Sequence, residues 1–148
     1  MGTQQILLIV LSVVVVGIAV AVGITMFNNQ AVNSNRQAVI SDLQNLGAQV
    51  MAWYRMPASM GGGGQAANLT TGDANGESLS DELYNYIGFD SDGNFLNQNG
   101  SYSTTVTTTT IEIVGEGNET GNDGSTPVKA TLVITPANES PLQTTVNN

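Results

Sequence analysis

The sequence predicts an α+β molecule: a long N-terminal α-helix, apolar in its first half and amphipathic in its second, packed against a small antiparallel β-sheet head. Three observations predict it. Ile6 to Phe27 contains no charged residue and is interrupted only by Ser12, Gly17, Gly23 and Thr25. From Val32 to Trp53, apolar residues recur at helical spacing. Later, two runs at 102–114 and 128–134 are dense in β-branched residues. The chain therefore divides into a helix over 1–56, with an apolar part at 1–28 and an amphipathic part at 29–56, and a polar head over 57–148.

The first stretch is too long for a strand. At about 1.5 Å per residue a helix over Ile6–Phe27 spans roughly 33 Å, close to the hydrocarbon thickness of a bilayer. A helix also satisfies its own backbone in lipid. No Lys or Arg precedes the span, and the apolar run exceeds the core of a signal peptide, so the segment is expected to remain in the working protein. The short polar head before it favours a cytoplasmic N-terminus. Gly17 with Ala21, and Ala19 with Gly23, form two interleaved pairs of small residues four apart. Such pairs let helix backbones approach closely. Around them, Ile6, Leu7, Val10, Val13, Val14, Val20, Ile24 and Phe27 supply packing surface.

The amphipathic part follows with no Pro or Gly at the junction. Val32, Val39, Leu43, Leu46, Val50 and Trp53 form one stripe, which predicts a face packed on the head. Asn35, Gln37, Ser41, Gln44, Asn45 and Gln49 read as the opposite, solvated face. The polar segment 28–35 is the expected place for a bend. Pro57 and the glycines at 61–64 end the helix.

Residues 60–78 read as a surface loop. Ser80 is the expected cap of a short helix over Asp81–Ile87, with Asp81 and Glu82 in its first turn. Leu83, Tyr84, Ile87 and Phe89 would dock that helix. Residues 90–100 read as turn. The 102–114 run is a strand with a parity fault, since Val106 lies on one face and Ile111 and Ile113 on the other. A bulge or a division into two strands repairs it. Gly115–Pro127 reads as loop. Val128, Ala130, Leu132 and Ile134 share a face of the next strand, with Glu112 expected opposite Lys129. An edge strand is expected over Leu142–Val146.

Charge is divided as sharply as hydropathy. Of the 12 acids only Asp42 precedes residue 57, so the head holds eleven acids against Lys129 alone. That balance repels nucleic acid, and no nucleic-acid partner is expected. The chain has no cysteine and no histidine, which removes disulfides and the commonest general base. No catalytic, cofactor-binding or metal-ligating residue is assigned, and the chain is not expected to be an enzyme. Asp90-Ser-Asp92-Gly-Asn94 begins like a calcium loop, but the sixth and twelfth places hold Phe95 and Ser101. Four sequons, at Asn68, Asn99, Asn118 and Asn138, fall in expected loops and are candidate glycan acceptors. The run Thr107–Thr110 suits O-glycans or a strand equally.

An apolar N-terminal helix, an amphipathic continuation ending near residue 55 and a small sheet-bearing head resemble the type IV pilin and pseudopilin family. Ile6–Phe27 with Gly17 and Gly23, the Val32–Trp53 stripe and the two strand runs carry the resemblance. It covers the chain as architecture, whereas motif-level similarity is confined to about the first 30 residues. With no basic leader before it, the sequence resembles a mature subunit. The resemblance implies a structural subunit of an extracellular pilus-like filament, stored in the cytoplasmic membrane before assembly. It implies further copies of the chain and an inner-membrane assembly machinery as partners. It also implies that Met1 and Gln5 dock neighbours, because bacterial members carry a glutamate as the fifth mature residue. Gln5 departs from that pattern: an amide accepts a hydrogen bond from an amine but does not neutralise it. Archaeal members often lack that acid and have Thr-rich, glycosylated β heads, so the branch stays open. The alternatives are a pseudopilin or minor pilin of a secretion machine, and a single-pass anchored surface protein that never polymerises.

Overall fold

A computed structural model describes residues 2–72, 78–121 and 123–147. One helix, α1, runs unbroken over Thr3–Arg55. The polar junction at 28–35 produces no interruption: with no Pro or Gly there, nothing removes a backbone hydrogen bond. Met56, extended as a residue before proline must be, ends the helix. The chain then folds back, and the N–H groups of Gly63 and Gln65 donate to the carbonyls of Trp53 and Tyr54. The last turn is thereby satisfied from the loop that follows it. A 3-10 turn over Ala58–Met60 lies within that loop.

A second helix, α2, spans Leu79–Ile87. Its N-cap is Ser78, two residues before the expected Ser80. Asp81 and Glu82 occupy its first turn, where helix polarity favours acids. Gly88 ends it in the left-handed conformation. Leu83, Ile87 and Phe89 are buried and Tyr84 is half-buried.

Five strands follow: β1 Asn94–Leu96, β2 Gly100–Val106, β3 Ile111–Thr120, β4 Pro127–Ile134 and β5 Leu142–Val146. They form one antiparallel meander in chain order. Three expectations are corrected here. Residues 94–96 form a short edge strand where only turn was expected. The 102–114 run divides into two strands, one of the two repairs its parity allowed, and Thr107–Thr110, which had suited a strand, is the turn between them. The Thr107 hydroxyl accepts from the Thr110 N–H at 3.1 Å, and the Thr107 N–H donates to the Thr110 carbonyl at 2.8 Å. Threonine hydroxyls that bond backbone favour turns over strands. The turn also resolves the parity fault, because Tyr102 and Thr104 point inward from β2 and Ile111 and Ile113 from β3.

The third correction concerns residues 115–120, which continue β3 instead of forming a loop. Gly115 and Gly117 are inward-facing strand residues beneath α1. A Cβ on Gly115 would meet Val39 Cγ1 at 2.8 Å, and one on Gly117 would collide with the Asn35 side chain. Their glycines mark close helix–sheet approach, not a turn. The longer strand resets the pairing: Lys129 faces Glu116, and Glu112 faces Val133.

The core lies between the distal half of α1 and the inner face of the sheet. Val39, Leu43, Leu46, Val50 and Trp53 are buried there with Ile111, Ile113, Leu132 and Ile134. Val32, at the start of the stripe, is only half-buried. Tyr54 is buried beside Trp53, as its place at the end of the stripe predicts, and Gly47 joins the buried face without having been expected there.

Candidate functional site

The largest surface without an intramolecular partner is the first half of α1. Residues 3–30 are exposed throughout. An 18-residue window of this helix has a mean hydropathy of 3.1 and buries 0% of its residues, so the helix is long and apolar enough to cross a membrane. Its expected packing residues present themselves together. Ile6, Leu7, Val10, Val13, Val14, Val20 and Ile24 are 51–67% exposed and Phe27 76%. Ala21 and the two glycines lie among them, also exposed.

The polar groups in this stretch are satisfied locally. The Ser12 hydroxyl donates to the Ile9 carbonyl at 2.7 Å, and that of Thr25 to the Ala21 carbonyl at 3.0 Å. Neither hydroxyl then resists an apolar surrounding. The glycines are more telling. A Cβ at Gly17 or Gly23 would meet nothing within 4 Å. Each glycine costs a helix about 0.8–1.0 kcal/mol relative to alanine. At Gly115 and Gly117 the fold explains the missing side chain; at Gly17 and Gly23 the isolated chain does not. Gln5 is exposed, and its N–H donates to the Gly2 carbonyl at 3.0 Å. Met1 lies outside the described residues.

A second cluster fixes the head to the helix. Asp42 Oδ2 accepts hydrogen bonds from Asn97 Nδ2 at 2.9 Å, Asn99 Nδ2 at 2.8 Å and the Tyr102 hydroxyl at 2.7 Å. Burial works against ionisation of this carboxyl, but the bonds from Asn99, Tyr102 and Asn97 outweigh it and hold the pKa below the usual carboxylate range. The Tyr102 hydroxyl moves upward, through burial first and then through its bond to the Asp42 carboxylate. Two turns earlier on α1, Asn35 Nδ2 donates to the Asn99 carbonyl at 2.9 Å and Asn35 Oδ1 accepts from the Glu119 N–H at 3.3 Å. Asn35 was expected on the solvated face; it faces the head instead. Residues 35, 39, 42 and 46 follow steps of 4, 3 and 4, which is the buried stripe's own spacing. The legible signal was Asp42, the one acid of residues 1–56, standing on that stripe.

The sequons separate by environment. Asn99 is a structural tie to Asp42, and Asn118 lies within β3 with its Nδ2 donating to the Gln98 carbonyl at 2.8 Å. Asn118 thus sits in a strand where a loop was expected, whereas Asn99 lies in the β1–β2 connection as expected, with its amide engaged. Asn68 accepts from the Thr70 N–H and hydroxyl in a local turn, and Asn138 stands exposed between β4 and β5. The Asp90 carboxylate accepts from the N–H groups of Asp92 and Asn94, so the 90–94 segment is a self-bonded turn. Among the described residues, no three His, Cys, Asp or Glu side chains converge as a metal site.

No protein-family model matches the chain, and neither a curated protein nor a solved structure is significantly similar to it.

Proposed function

We propose that the chain is a structural subunit of an extracellular type IV pilus-like filament, built by packing Ile6–Phe27 of many copies in a central core with the heads outward. The observation that carries this reading is the pair Gly17 and Gly23: two glycines on an exposed apolar helix with open space around them. A close helix–helix contact gives them a purpose, since small residues let backbones approach where lipid supplies no hydrophobic push. In the membrane, the same segment holds the subunit before assembly. Relative to water, burying its aliphatic side chains between copies contributes on the order of tens of kcal/mol gross, at about 1.5–3 kcal/mol each. Relative to lipid the gain is far smaller, so assembly requires machinery in the membrane to extract the subunit. Docking at Met1 and Gln5, where the amide accepts from a neighbour's amine, belongs to this proposal.

The rival readings, a pseudopilin or a non-polymerising single-pass anchor, use the same helix. Electron microscopy of material sheared from cells, combined with mass spectrometry for this chain, separates them. Filaments containing the chain as their main component are expected. Filament-free fractions with the chain left in the membrane would sink the proposal in favour of the anchor.

A further inference from the structure

The two edges of the sheet are unlike. The β1 edge is three residues long. The β5 edge is five residues, Leu142-Gln-Thr-Thr-Val146, all exposed and carrying no charge. Sheet edges are ordinarily protected by charge, proline, bulges or brevity. Within β5 none of these is present except its shortness; Pro141 stands just before it.

The hydrogen bonds of β5 fix which groups are open. The Pro141 carbonyl accepts from the Thr135 N–H at 2.8 Å, and the Asn147 N–H donates to the Lys129 carbonyl at 2.9 Å. In an antiparallel pair these directions alternate. Residues 141, 143, 145 and 147 therefore turn their backbone groups toward β4, and Leu142, Thr144 and Val146 turn theirs outward. The same three residues face the helix side of the sheet, because they pair with Ile134, Leu132 and Ala130. Leu142 and Val146 remain 43% and 45% exposed there, although Leu142 reaches Gly47 of α1.

We infer that β5 pairs antiparallel with β5 of a second copy, about a two-fold axis through Thr144. The segment is its own complement in that register. Thr144 meets Thr144, Leu142 meets Val146, and Gln143 meets Thr145. Every outward N–H and C=O of the three residues finds a partner, making about six main-chain hydrogen bonds. Leu142 of each copy covers Val146 of the other. Nothing charged is buried. A foreign strand would need to match this pattern; a second copy matches it by symmetry.

The direction of α1 gives the contact a consequence. Asn35 lies beside Gly117, Val39 beside Gly115, and Gly47 beside Leu132, which pairs with Ile113. The helix thus runs antiparallel to β3 and to β5. A two-fold axis normal to the sheet then sends the two helices in opposite directions. Neighbours anchored side by side in one membrane, or following one another in one filament, do not have that relation. The contact joins subunits of opposed orientation, as between two filaments or two facing surfaces. It holds whether Ile6–Phe27 ends in a bilayer or in a polymer. One short strand pair is weak, and repetition along an array supplies strength through effective concentration. Because each head is acidic, screening by salt favours the contact.

The chain has no cysteine, so a single introduced one reports the axis directly. In a hydrogen-bonded antiparallel pair, facing Cα atoms lie about 5.5 Å apart, within disulfide reach. Full-length Thr144→Cys in detergent, under mild oxidation, is expected to give several-fold more covalent dimer than Ser103→Cys, an exposed control on β2. The yield should rise with salt. Thr144→Lys places two ammonium groups face to face and is expected to abolish self-association by light scattering while the head melts as in the wild type. Equal dimer from the two cysteine variants, or undiminished association of a folded Thr144→Lys, overturns the inference.

Discussion

Between residues 3 and 30 the helix α1 leaves every side chain exposed; between Val39 and Tyr54 it buries seven residues against the head. Both halves are helical, and their backbones satisfy the same i to i−4 ladder. They differ in what holds them. The distal half is stabilised by tertiary packing on one stripe, the usual source of helix stability in a folded domain. The proximal half has no such partner in its own chain, and is apolar all round. An element of that kind is stable only where something outside the chain replaces water. The glycines repeat the lesson. Gly115 and Gly117 are explained by a helix lying on them, and at Gly17 and Gly23 nothing in the chain lies within 4 Å of an added Cβ.

Substitutions break this comparison in a graded way. On the proposed function the largest effect belongs to the proximal half: Val20→Glu or Gly17→Glu is expected to abolish filaments in sheared fractions while leaving the melting of the head unchanged in detergent. A charge at the centre of an apolar helix costs about 2.5–3.5 kcal/mol even for one insertion event, and every copy would carry it. Filaments of normal yield from either variant would remove the packing role.

In the distal half, Trp53→Ala is expected to destabilise the head by about 3–5 kcal/mol, read by chemical denaturation, because it empties the position where the ring is 1% exposed. A smaller effect follows at the tie between helix and head. Asp42→Ala leaves Asn97, Asn99 and Tyr102 without their shared acceptor and should cost about 1–3 kcal/mol. Asp42 also gives the head an acid limb. Its pKa is lowered in the folded state, so its contribution is complete above the unfolded value of about 3.9 and is lost as pH falls below it. Tyr102 acts in the opposite sense: its folded pKa is raised, so its contribution is complete below about pH 10 and is lost above it. Asp42→Asn should flatten the acid limb in melts taken from pH 6 to pH 3; an unchanged limb would assign it to other carboxylates.

The smallest effect is expected at Glu116, which accepts from Lys129 Nζ at 2.8 Å with both side chains nearly half exposed. Glu116→Gln should change stability by less than about 1 kcal/mol, and less again at high salt. A larger loss would mean that the pair fixes strand register, which the buried isoleucines of β3 are here taken to do.

Much of this fold was legible before any coordinates. The Val39–Trp53 stripe, the proline stop, the acids opening α2 and the edge strand at 142–146 are local signals, and local geometry follows from them. The misread segments share a cause. Thr107–Thr110 has strand propensity, yet its hydroxyls bond turn backbone, and only the pairing of β2 with β3 selects between the two. Gly115 and Gly117 look like loop residues until a helix is laid across them. Asn35 and Asn99 look like solvated amides, and Asn99 like a glycan acceptor, until the head is laid on α1, where Asn35 meets the Asn99 carbonyl and the Glu119 N–H and Asn99 meets Asp42.

By itself, then, the sequence determined where the helix runs, which of its halves is apolar all round, and which residues of the other half turn inward. These depend on contacts within a few residues, and periodicity records them. The tertiary structure decided strand register, the partner of Lys129, the tie at Asp42 and the emptiness around Gly17 and Gly23. Those depend on which distant segments meet, and a polar side chain or a glycine carries no local mark of whether it will face water, a strand or another molecule.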